Sequence, residues 1–142
     1  MAGKIEFTNE LKLDFDQRHR SKRLDIKRIG WVARFLRLTV EDVQAWRTAN
    51  GVHVRIWIKE RLHPLLVVLI QSLMGDDYAR CAYNAVRVLN LMAYPDRYGE
   101  VAHECWNVLY YKKLVGGRVA SEEKPDPKLT RRLRDELIHR QA

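Results

Sequence analysis

The chain is 142 residues long, 46% hydrophobic and 31% charged, with 26 Lys and Arg against 18 Asp and Glu for a formal net charge of +8. That length and apolar content specify one compact domain with a real core, and no stretch reaches the roughly 18 consecutive apolar residues of a membrane span. Residues 1–13 hold Glu6 and Glu10 and no apolar run of the secretory kind, which predicts a cytoplasmic protein, and Cys81 and Cys105 lie too far apart for a disulfide scaffold or zinc ribbon and read as buried thiols.

Residues 11–16 alternate apolar and polar, which predicts a strand with Leu13 and Phe15 inward and Asp14 and Asp16 outward. Over residues 21–38, Ile29, Val32, Ala33 and Leu36 recur at helical spacing, predicting an amphipathic basic helix. Residues 43–58 read as two antiparallel strands around Asn50-Gly51, a turn pair that tolerates φ > 0 at both positions. A two-residue loop there pairs Thr48 with His53, Trp46 with Arg55 and Gln44 with Trp57. Residues 65–74 and 78–93 read as helices, with Gly75 as the stop and Asp76 as the next N-cap; the run 65–70 also fits a buried strand. Residues 106–113 are aromatic and β-favouring and predict a last strand.

Residues 116–126 are polar and proline-bearing and read as a linker between a domain over 1–115 and a basic C-terminal helix over 127–142. Asp126 caps that helix, Pro127 opens it, and Leu129, Leu133 and Leu137 form a stripe narrow enough to predict weak docking or a bound partner. The order β-α-β-β-α-β is the split β-α-β pattern of α+β ferredoxin-like and RNA-recognition-like (RRM-like) sheets. Helices then cover one face and leave the other open.

Charge points to the partner. Residues 17–37 contain Arg18, Arg20, Lys22, Arg23, Lys27, Arg28, Arg34 and Arg37 against the single acid Asp25. Such a cluster is the footprint of a phosphate backbone, whose counterions it displaces; a solvated helix face is the plainer reading. On the open face, Trp46, Arg55 and Trp57 suit base stacking and phosphate contact, and they equally suit packing under the C-terminal helix or a partner subunit. Nucleic acid, DNA ahead of RNA, is the expected partner, with no membrane. Asp14 and Asp16 point the same way, and in this topology the first strand neighbours the third, which brings them toward His53. Two carboxylates beside a phosphate surface suit Mg²⁺ or Mn²⁺; they also suit ion pairs with Arg18, Arg20 or Arg55.

Leu13-Asp14-Phe15-Asp16, followed by Thr48-Ala49-Asn50-Gly51-Val52-His53, resembles the palm of the archaeo-eukaryotic primase superfamily. The resemblance covers about residues 11–58. It implies that Asp14 and Asp16 are catalytic metal ligands, that His53 contacts the phosphates of an incoming nucleoside triphosphate, and that the activity is metal-dependent nucleotidyl transfer in replication. This chain departs from that pattern in lacking a third acid on a predicted strand: Asp76, Asp77, Asp96, Glu100 and Glu104 all stand in turn or helix contexts. Gly75-Asp76-Asp77 is similar to the catalytic turn of other polymerases and also fits a helix stop and cap.

Two other functions fit the same topology. A replication-initiation nuclease of the HUH class needs a His-apolar-His pair, where this chain has His53-Val54-Arg55, with Tyr110 and Tyr111 as candidate nucleophiles. A non-catalytic module for single-stranded nucleic acid needs only the sheet, the basic segment and the C-terminal arginines. A protein-interaction adaptor would differ from both in tolerating salt. No G-x-S-x-G, Walker A or dinucleotide motif is present, and His19, His63, His103 and His139 have no zinc-site spacing.

Overall fold

The computed structural model describes residues 5–94, 106–109, 112–115 and 117–141. It is α+β: strands β1 (Thr8–Asp16), β2 (Val40–Arg47) and β3 (Gly51–Leu62) form an antiparallel sheet in the order β1-β3-β2. The two-residue strand β6 (Lys124–Pro125) extends it at β2, opposite Trp46 and Arg47. Helices α1 (Ile26–Phe35), α2 (Pro64–Leu73), α3 (Tyr78–Ala93) and α4 (Pro127–Leu137) complete the split β-α-β arrangement, and β4 (Lys112–Val115) and β5 (Arg118–Glu122) make a separate hairpin.

The alternation in β1 sorts its side chains as expected, with Leu11, Leu13 and Phe15 buried. They share a core with Val43, Ala45, Val54, Ile56 and Ile58 of the sheet and with Ile29, Val32 and Ala33 of α1. Val67 and Ile70 of α2 join that core. Leu129, Leu133 and Leu137 join it too, so the narrow leucine stripe of α4 docks tightly rather than weakly. Three leucines suffice because Thr130 and Asp126 fasten the helix to β2: Ala45 N donates to Thr130 Oγ1 at 3.0 Å, and Asp126 N donates to Ala45 O at 3.0 Å. Leu133→Ala is expected to cost about 3 kcal/mol, the usual price of a buried leucine truncation, read as a lower urea midpoint. A loss under about 1 kcal/mol would return α4 to the status of an appendage.

The β2–β3 hairpin keeps its predicted faces but shifts its partners. Trp46 pairs with His53, Gln44 with Arg55 and Asp42 with Trp57, because the tight turn falls on Ala49 and Asn50, with Thr48 N donating to Gly51 O at 2.9 Å. Neither Asn50 nor Gly51 has positive φ. Gly51 is required for a different reason: a Cβ there would lie 1.8 Å from the Phe15 carbonyl oxygen on β1. The helical spacing read over 21–38 is also shorter in fact. Arg20–Lys22 is a 3₁₀ turn and α1 starts at Ile26, where the Asp25 side chain accepts from Arg28 N. Arg18, Arg20, Lys22 and Arg23 therefore sit on the connection preceding the helix.

Gly75 does stop α2, at φ +97°. The next N-cap is Asp77, whose carboxylate accepts from Ala79 N and Arg80 N; Asp76 is buried against β1 instead. The last strand predicted over 106–113 is not formed at residues 106–109, and β4 pairs with β5 rather than with β1. Beside β1, where no strand pairs among the described residues, three side chains and one backbone amide take a strand's role. Lys12 N donates to Gln71 Oε1 at 2.9 Å and Asp14 N to Asp76 Oδ1 at 2.7 Å. Lys12 O accepts from Arg80 Nη1 at 2.8 Å, and Asp14 O from Asp77 N at 3.0 Å.

Candidate nucleic-acid interface

Two concave sites flank the ends of β1 and β3. The larger is a cleft of about 970 Å³ where the β1–α1 connection meets the first turns of α1 and α4. Arg20 and Arg23 of the connection, Lys27 of α1, Arg47 at the end of β2, and Lys128 and Arg132 of α4 line it, against the acids Asp25 and Asp126. All six cations are exposed. Both acids act as N-caps, Asp25 accepting from Arg28 N at 3.2 Å and Asp126 from Leu129 N at 3.1 Å. Two helix N-termini thus open on the cleft and add their positive dipole ends to its field.

The predicted basic residues divide. Arg20, Arg23 and Lys27 line the cleft, and Lys22 is exposed on the neighbouring 3₁₀ turn. Arg18 is taken up by Asp16, through Nε to Oδ1 at 3.1 Å and Nη2 to Oδ2 at 2.9 Å. Arg28 donates to Leu73 O at 2.7 Å and ties α1 to the end of α2. Arg132 is one of the C-terminal arginines expected to hold a strand, but its grouping with Arg47 and Lys128 was missed, because only the fold brings β2 and α4 to this point; Arg47 is the one charge on a hairpin face otherwise formed by Val43, Ala45, Val52, Val54, Ile56 and Ile58.

The second site lies between β1 and α3, about 400 Å³, with Asp14, His53, Asp77, Arg80, Tyr83, Asn84, Arg87, Val108 and Leu109 around it. Asp14 and His53 face each other in register, with His53 Nε2 3.5 Å from Asp14 Oδ1. The imidazole is buried, since its Nδ1 lies 2.8 Å from Glu123 Oε2. Glu123 had no sequence signal; it falls in the segment read as linker, and the pairing of Pro125 with Trp46 carries it over His53. Desolvation raises the Asp14 carboxyl above its ordinary range, against the pull of His53. The hydrogen bonds from Arg18 hold Asp16 down, to about 2.

The primase resemblance implies a metal on Asp14 and Asp16. The two carboxylates are engaged separately, Asp16 by Arg18 and Asp14 by His53, and Glu123 is turned to the far side of the imidazole. Among the described residues no three His, Cys, Asp or Glu side chains converge as a metal site requires. The donor set in this arrangement does not fit a metal centre. Cys81 is buried as expected, and burial beside Asp76 pushes its thiol up to about 12, far from a reactive thiolate. Cys105, Tyr110 and Tyr111 lie outside the described residues.

On the outer sheet face Trp46, Arg55 and Trp57 are half-buried. The Arg55 guanidinium lies 5.3 Å from the Trp46 ring centroid, a cation–π distance, and 4.0 Å from Glu10. That face is therefore partly occupied by its own contacts. No protein-family model matches this chain, and no curated protein or solved structure matches it either. No helix among the described residues is long and apolar enough to cross a membrane.

Proposed function

We propose that this protein binds nucleic acid through its phosphate backbone, as a non-catalytic module, with the basic cleft as the seat of the strand. The observation that carries the reading is the convergence of six exposed cations from four separate segments on one cleft. A merely soluble surface intersperses both signs, whereas the two acids at the cleft among the described residues are engaged as helix caps, Asp126 lying also 3.9 Å from Arg47. Backbone amides at both helix starts are partly spent on those caps, so affinity comes chiefly from Lys and Arg side chains. Binding by such groups positions a strand without reading its sequence.

Salt dependence tests this directly. With six phosphates engaged on a single strand, log K falls against log salt with a slope of about −4, a loss of roughly 300-fold between 50 and 200 mM. Fluorescence anisotropy with a labelled single-stranded oligonucleotide across that range gives the slope. A slope near zero, or no binding at low salt, overturns the assignment; the ratio of duplex to single-strand affinity at one salt concentration sets the preferred strand type.

A further inference from the structure

The pocket between β1 and α3 contains a group that its own fold leaves unused. Asn84 is 2% exposed, and its Oδ1 accepts from Asn107 N at 2.7 Å. Its Nδ2 has no hydrogen-bond partner among the described residues. Nearly all buried polar groups are paired, and the exceptions concentrate where a ligand or water completes the set. The neighbouring donors have no such deficit: Arg80 gives its guanidinium to Lys12 O, Asp76, Asn107 and Val108 O.

The same pocket offers the opposite polarity at Asp14, whose side chain is 39% exposed beside His53. Val108 and Leu109 supply apolar wall, and Tyr83, 67% exposed, stands at the lining. A flat ligand is indicated, one with an amino donor and a ring or carbonyl acceptor on its edge and two apolar faces. Adenine, cytosine and guanine have that edge; uracil and thymine carry no exocyclic amine, and their one ring donor, N3–H, is flanked on both sides by carbonyl oxygens that the Asp14 carboxylate repels. The Asp14 carboxylate is partly withdrawn from solvent, and such a group gains from a donor that arrives with the ligand.

We propose that this pocket takes an unstacked amino-bearing nucleobase, its exocyclic amine donating to Asp14 and its acceptor facing Asn84 Nδ2, with Tyr83 against the ring. The identification of the polymer rests on the nucleic-acid reading above, while recognition of the base involves no phosphate. The two sites are close along the chain. Asp14 lies three residues from Gln17 on the β1 side, about 10 Å of extended strand, and His53 lies two residues from Gly51, where Gln17 and Gly51 line the cleft. A strand lying in the cleft can therefore turn a base over the ends of β1 and β3. Single-stranded nucleic acid is read in this way, by splayed bases stacked on aromatic rings and hydrogen-bonded at their edges.

Free nucleosides test the pocket without the cleft. Titration of the full-length protein with adenosine, cytidine, guanosine and uridine, followed by NMR chemical shifts at 50 and 300 mM salt, is expected to show at least one amino-bearing nucleoside binding 10-fold or more tightly than uridine, with little change in salt. Asn84→Asp keeps the acceptor for Asn107 N and removes the donor; Asp14→Asn removes the charge and one acceptor oxygen and adds an NH2 donor that suits a uracil carbonyl as well. Each is expected to abolish the preference over uridine. Should Asn84→Asp fail to fold, Tyr83→Ala, at an exposed ring, is expected to weaken nucleoside binding about 10-fold. Equal binding of uridine, no binding of any nucleoside, or variants that behave like wild type would overturn the base pocket. Loss of nucleoside binding alongside salt-sensitive oligonucleotide binding removes this inference and leaves the cleft reading standing. The reverse pattern supports a base site and removes the cleft.

Discussion

Asp76→Ala is expected to destabilise the protein by about 3–5 kcal/mol, the range for breaking a buried ion pair at one end. The Asp76 side chain is fully buried, and its Oδ2 accepts from Arg80 Nη1 at 2.7 Å while Oδ1 accepts from Asp14 N. Alanine removes the counter-charge of a nearly buried guanidinium and one of the four backbone contacts that close the edge of β1. Against a typical domain stability of about 5–15 kcal/mol, that is a large share. Asp77→Ala, the neighbouring substitution, removes only an N-cap and is expected to cost about 1 kcal/mol. Denaturant unfolding of the two variants separates them, and equal losses would show that Asp76 is not the anchor. Adding Arg80→Leu to Asp76→Ala should recover part of the loss, since an unpaired buried charge costs more than a missing pair.

The other large effect is on binding. Arg23→Gln, Lys27→Gln and Arg132→Gln together remove three of the six cleft cations, and the salt slope for a single strand should fall from about −4 to about −2. At roughly 1.4 kcal/mol per tenfold, and about 1 kcal/mol for each phosphate contact, a value below that of hydrogen bonds to charged groups, affinity at low salt drops about 100-fold. Arg37→Gln with Lys59→Gln, at exposed positions outside the cleft lining, serves as the control and should leave the slope near −4. If both variants lose affinity alike, binding follows net charge and the cleft has no special role. Unfolding curves should be nearly unchanged in either variant, because exposed substitutions usually alter stability by less than about 0.5 kcal/mol.

Local patterns carried much of the fold. The alternation of residues 11–16, the helical spacing of Ile29, Val32 and Ala33, the glycine stop at Gly75 and the Asp126-Pro127 start each correspond to an observed element. They were legible because period, stop and cap are decided within a few residues. The misreadings arose where a distant segment decides. Asn50-Gly51 carries the signature of a primed turn, yet the glycine answers to Phe15 on another strand. Asp76 has the chemistry of a cap, yet it closes the margin of β1, where no strand pairs among the described residues. Three leucines on α4 are a weak signal alone; Thr130 and Asp126, which seat them against β2, cannot be recognised without the sheet.

The candidate sites divide in the same way. The pairing of Asp14 with His53 followed from topology and face parity, and it is observed. Arg18 reads both as a phosphate contact and as an ion-pair partner of the aspartates, and the second is observed, since it stands two residues from Asp16 and the strand end folds it back onto that carboxylate. Arg47, Lys128 and Arg132 share a cleft with Arg20 only after four segments converge. Glu123 and Asn84 could not be seen beforehand, since each matters for what lies across from it.

The closure of β1 by Gln71, Asp76, Asp77 and Arg80 also limits how this molecule can be joined. Extended peptides and second copies of a chain commonly dock by adding a strand to a sheet margin, drawing on its unsatisfied amides and carbonyls. At Lys12 and Asp14 those groups are already consumed from within. Recruitment at this margin must work through side chains and concave surfaces, which favours compact guests over linear ones.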